Sequence, residues 1–123
     1  MLELEDGKWY VGITTQTPEA RFEQHSSGFT GAAWTKLHKP IKIFDRKFLG
    51  DLDEIDAKLY EARVTRAYMK KYGVNNVRGG DLAQTQPYVL RLGRYFLSDD
   101  WQAIWVVSLL LLVIAYLIID KHF

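Results

Sequence analysis

From Ala103 to Ile119 the chain runs seventeen residues without a charge, and Trp101-Gln102 lengthens the run to nineteen. As a helix the seventeen to nineteen residues reach about 28 Å, close to the roughly 30 Å hydrocarbon thickness of a bilayer. A helix that is apolar all round must be wrapped on every side by apolar matter. The residues ahead of it suffice for one small domain with little core to spare, so the expected wrapping is lipid. Trp101 and Trp105 stand at one end as interface anchors and Asp120-Lys121 closes the other. The run is C-terminal and so no signal peptide, and only four residues follow it, which predicts a tail anchor. Arg91 and Arg94 before the run outnumber Lys121 after it, favouring a cytoplasmic N-terminal domain. The alternatives are a buried core helix and an oligomer-forming helix in a soluble assembly.

With 123 residues there is room for one small domain and this appendage. The absence of cysteine excludes a disulfide framework and a thiolate zinc site. The formal charge of +1 is uninformative, but between Lys8 and Arg94 fifteen Lys and Arg face nine Asp and Glu. That surplus suits a polyanionic partner, and equally an ordinary solvated surface.

Met1 to Leu4 alternates apolar and polar, and Asp6-Gly7 supplies a turn before the apolar, aromatic strand beginning at Trp9, which together predict a hairpin. Thr17-Pro18 caps a helix on which Arg21 and His25, four apart, share a face. Gly28, Gly31, Ala32 and Ala33 predict a loop that continues through Trp34 to Pro40, and Ile41 to Phe48 predicts a third strand. A long helix is expected next, with Asp51 and Glu54 at capping-box spacing, acids in its first turns, Arg66, Lys70 and Lys71 near its end, and Gly73 as its stop. In that helix Glu61 projects from a row of Ala57, Val64 and Tyr68. Gln84-Thr85-Gln86-Pro87 resembles a linker, and Tyr88 to Leu97 an amphipathic stretch. These elements predict an α+β fold, a small antiparallel three-stranded sheet flanked by helices, followed by the C-terminal apolar helix.

Tyr10-Val11-Gly12, Arg21, and Ser26-Ser27-Gly28 with Gly31 to Lys36 resemble the GIY-YIG nucleases, Tyr10-Val11-Gly12 matching the second half of the name motif. A second block, Glu61 through Met69 to Gly73 and Asn76 to Gly80, resembles that family's glutamate-bearing helix and the segment closing its domain. The two blocks occur in the family's order within residues 1–80, which implies domain limits of 1–80, a connecting segment over 81–100 and a transmembrane helix over 101–119. The family's first-strand tyrosine precedes the second by about a dozen residues, a position that falls ahead of Met1.

The resemblance implies a membrane-anchored, metal-dependent endonuclease hydrolysing phosphodiester bonds in DNA, ahead of RNA, with Mg²⁺ or Mn²⁺ and no organic cofactor. Glu61 would hold the metal, since one carboxylate suffices when water and substrate phosphate complete the octahedron. Otherwise it is a solvated glutamate paired with Lys58 or Thr65. Arg21 would clamp the phosphate with two parallel donors, or form a surface ion pair with Glu19 or Glu23. His25 would orient water or contact phosphate, or only cap its helix. Tyr10 would line the site in support, or sit in the core. Asn76 is expected to pin the end of the domain. Lys36, Lys39 and Lys42, with His38 and Trp34 nearby, would bind nucleic-acid backbone or an exposed base, or be a solvated edge. The competing function is non-enzymatic: a degenerate domain of this kind acting as a membrane-tethered module that binds nucleic acid or protein.

Overall fold

The computed structural model describes residues 1–28 and 31–122. The chain divides into two compact units, Met1–Thr85 and Gln86–Phe123.

The first unit opens with a hairpin. Strand β1 (Leu2–Leu4) and strand β2 (Trp9–Val11) are antiparallel, with Leu2 opposite Tyr10 and Glu3 opposite Trp9. The turn between them takes Asp6 and Gly7 through left-handed backbone, φ 62° and 69°, where an aspartate and a glycine are the tolerant residues. Helix α1 (Pro18–Ser27) starts where Thr17 accepts a hydrogen bond from Ala20 N and Pro18 supplies the first turn. A short helix, α2 (Ala33–Leu37), replaces the expected loop. It buries Trp34 and Thr35, which the small residues around them gave no periodic signal to reveal.

Strand β3 (Pro40–Ile43) pairs with β1 and ends well short of Phe48. Its partner offers only three residues; Phe44 N and Asp45 N both turn to Met1 O at 3.0 and 3.4 Å, and there the ladder stops. Helix α3 (Glu54–Tyr72) is capped by Asp53, which accepts from Asp56 N at 2.7 Å, rather than by Asp51. Gly73 ends it, and Asn76 closes the end by donating to Tyr72 O and accepting from Lys8 Nζ.

Strand β4 (Val77–Gly79) corrects the predicted sheet. The sheet is four-stranded and mixed, in the order β3-β1-β2-β4, with β4 parallel to β2. A parallel neighbour requires a long crossover, and the helices between β2 and β4 supply it. Three residues containing an arginine and a glycine carry no alternating pattern, so β4 was invisible as a strand.

On one face of the sheet Leu2, Leu4 and Trp34 form a core with Tyr10, Phe22 and Ile43 against it. On the other, α3 packs on β2 and β4, burying Glu61, Thr65 and Met69, a row different from Ala57, Val64 and Tyr68. Gly79 permits that approach: a Cβ there would stand 2.3 Å from Val11 O and 2.7 Å from Thr65 Oγ1.

In the second unit Tyr88 to Leu97 is a hairpin. Strand β5 (Tyr88–Arg91) pairs antiparallel with strand β6 (Arg94–Leu97), and Leu92-Gly93 turn the chain with φ 52° and 73°. Helix α4 (Ser98–His122) follows β6 without an intervening residue. It is 25 residues long, none of its described side chains is buried, and it is long and apolar enough to cross a membrane.

Candidate active site

Tyr10 from β2, Arg21 and His25 from α1, and Glu61 from α3 meet at one end of the first unit. The Tyr10 ring lies tilted on His25, centroids 4.9 Å apart. Burial pushes the Tyr10 phenol above its ordinary value and the Glu61 charge adds to the rise, while Arg21, hydrogen-bonded to the hydroxyl, opposes both. A phenol held protonated in this way is a hydrogen-bond donor rather than a ready base. Arg21 Nη1 also donates to Gln24 Oε1 at 2.9 Å. The surface pairing open to Arg21 is not made with Glu19, which pairs with Arg46 instead.

His25 is 2% exposed. Its Nδ1 is 2.8 Å from Thr35 Oγ1, and that hydroxyl lies 2.8 Å from Ala32 O. Ala32 N–H also donates to Nδ1 at 3.4 Å, which makes Nδ1 an acceptor there, and the Thr35 hydroxyl can donate to Nδ1 or to Ala32 O. Nε2 is buried and without a hydrogen-bond partner among the described residues. Burial first, and then the Arg21 charge, lower the imidazole pKa to about 4. Gly31, at φ 110°, makes room: a Cβ there would stand 2.4 Å from His25 Nδ1.

Glu61, 8% exposed, accepts from Gly80 N at 3.0 Å through Oε1. Neither partner open to it from the sequence takes its carboxylate: Lys58 lies 3.0 Å from Glu54, and the Thr65 hydroxyl donates to Glu61 backbone O. Burial raises its pKa; the Gly80 N–H, Lys58 and Arg21 oppose the rise and the Asp81 charge adds to it. An open cleft of about 560 Å³ runs past this carboxylate, lined by Ile55, Lys58, Leu59, Ala62, Gly80 and Asp81. Asp81 is committed to a two-pronged pair with Arg66, at 2.9 and 2.7 Å, which holds its carboxyl below the ordinary range. Among the described residues no three His, Asp or Glu side chains gather into a metal-binding group. A single carboxylate such as Glu61 is the kind of oxygen donor that a hard divalent cation accepts when water and phosphate fill its other positions.

The basic edge is arranged differently from expectation. Lys36 and Lys39 are exposed, and exposed Lys42 lies 3.4 Å from Glu3 across the β1–β3 ladder. Trp34 is 4% exposed, with its Nε1 donating to Trp9 O at 3.1 Å and Arg78 stacked 4.6 Å over its ring, so it offers no face to a base. Thr35 and the Gly80 N–H complete the site and had no local signature. No family model matches the chain, and no curated protein or solved structure matches it either.

Proposed function

We propose that this chain is a membrane-anchored, metal-dependent endonuclease of the GIY-YIG kind, hydrolysing phosphodiester bonds in DNA. The observation that carries the reading is the grouping of Tyr10, Arg21, His25 and Glu61 from three separate elements, with Glu61 alone of the four lining the open cleft. In the proposed reaction water attacks phosphorus as the ester P–O bond breaks, with negative charge growing on the phosphoryl oxygens. Arg21 balances that charge with a cation that stays protonated throughout. The attacking water gives up its proton to solvent and the leaving oxygen takes one from it, while His25, kept neutral by its lowered pKa, packs on the Tyr10 ring and braces the site. Tyr10 donates its hydroxyl to an oxygen at the site. Held by Glu61, Mg²⁺ or Mn²⁺ would supply Lewis-acid stabilisation of a phosphoryl oxygen. Lys36, Lys39 and Lys42 attract the backbone without reading sequence. Helix α4 spans the bilayer as a tail anchor, and Arg91 and Arg94 ahead of it put the first unit on the cytoplasmic side.

The test is cleavage of labelled duplex DNA by the detergent-solubilised chain with Mg²⁺ or Mn²⁺, beside Glu61→Ala. Cutting is expected from the wild type and a loss of at least about a hundredfold from the variant. Equal cutting by both would remove Glu61 from the chemistry. No cutting, with duplex still bound, would replace the enzyme by the binding module.

A further inference from the structure

The hairpin of β5 and β6 brings two arginines face to face. Arg91 and Arg94 are register partners that close the two-residue turn, so their side chains leave one face of the hairpin as direct cross-strand neighbours. Like charges so placed repel unless an anion lies between them. Among the described residues neither has a carboxylate partner within ion-pairing distance. The turn between them adds a second anomaly: Leu92 adopts left-handed backbone, φ 52°, where turn chemistry favours Asn or Gly, and it is 90% exposed. A branched apolar side chain in strained backbone, between two cations, suits a boundary between phosphate and hydrocarbon.

The hairpin's place in the second unit points to the same surroundings. Ser98 N bonds Pro87 O at 2.9 Å, tying the open end of the hairpin to the first residue of α4. Phe96 lies 5.3 Å from Trp101, and Trp101 lies 6.3 Å from Trp105. By strand alternation Phe96 and Arg94 share a face, as do Val89 and Arg91. The paired arginines therefore project from the face that meets the tryptophans, about 7 Å further along the strand. In a spanning helix those tryptophans occupy the headgroup level.

We infer that Arg91 and Arg94 form a binding site for the phosphate of an anionic phospholipid, with Leu92 seated in the acyl layer beside it. This rests on α4 spanning the bilayer. Two guanidiniums can share one phosphate through paired donors, which relieves their mutual repulsion. Asp99 and Asp100, at the start of α4, stand at the opposite end of the four-residue strands from the turn.

The test reconstitutes the full chain in vesicles and measures, by spin-labelled lipid, its preference for phosphatidylglycerol over phosphatidylcholine. The wild type is expected to prefer phosphatidylglycerol, and Arg91→Gln with Arg94→Gln to reduce that preference by roughly fivefold per arginine. Lys70→Gln with Lys71→Gln should leave it unchanged; an equal loss there would make the preference one of bulk charge and overturn the site. Displacement of the labelled lipid by inorganic phosphate, but not by chloride of equal ionic strength, would make it a site for the free ion and overturn the lipid. If alkaline carbonate strips the chain from the vesicles, the span itself fails. If the chain stays inserted and holds both lipids equally, only the arginine site fails.

Discussion

His25 is held at one nitrogen and bare at the other, and its proton affinity follows from that. Burial and the Arg21 charge bring its pKa to about 4, below the 6.5 of an exposed imidazole. The unfolded chain binds this proton more readily, so the neutral ring's contribution to stability is full above about 6.5 and is lost as the pH falls toward about 4. An NMR titration of the His25 ring should have its midpoint near 4; a midpoint at the ordinary value would mean that Nε2 meets water. The side chains that carry the proposed chemistry stood out in the sequence by type and spacing. What they touch did not. Thr35 is one threonine in a run of small residues, and only the fold brings its hydroxyl to His25. Arg78, one of the fifteen cations counted between Lys8 and Arg94, is 1% exposed and donates to the carbonyls of Gln84, Val74 and Val77 and to Asn75 Oδ1. Carbonyls that accept from a buried arginine leave no mark in the sequence.

Among the elements, β4 is the most exacting. Its seat admits no side chain at Gly79, because the nearest atom to an added Cβ is the backbone oxygen of Val11, which cannot swing aside. Gly79→Ala should cost about 3 kcal/mol through overpacking, whereas Asp53→Ala, which removes one cap from α3, should cost about 1 kcal/mol. Thermal unfolding of the two variants followed by near-ultraviolet circular dichroism tests the ranking; a larger loss from Asp53→Ala would put the weak point at the helix end. Elements announced by local chemistry were legible: Thr17-Pro18 for α1, Gly73 for the end of α3, Asp6-Gly7 for the first hairpin. Those made by partners at a distance were not. Strand β4 is too short for a period and owes its form to β2, and the β5–β6 turn uses Leu92 where Asn would have signalled a hairpin.

At the scale of the molecule the two units divide the work of burial. Met1–Thr85 contains a sheet covered on both faces, while α4 leaves its apolar side chains exposed along its whole described length. A chain ended after Thr85 should therefore stay in aqueous solution and unfold cooperatively, and the full chain should need detergent. Size-exclusion chromatography with a thermal melt decides this; aggregation of the shortened chain would mean that its fold depends on residues beyond Thr85. The apolar run marked α4 in the sequence, because a small domain has little core for seventeen uncharged residues, but the grouping of the Tyr88–Leu97 hairpin with that helix did not show there.

Strand β6 passes into α4 between Leu97 and Ser98 with no residue between the two elements. A helix longer than the local hydrocarbon thickness leans to fit, and a thinner bilayer makes it lean further. Because the hairpin is welded to the helix by this join and by the Ser98–Pro87 bond, it turns through the same angle as α4. Where α4 spans a bilayer as proposed, the thickness of that bilayer would set the attitude of the hairpin, a vane fixed to a leaning mast.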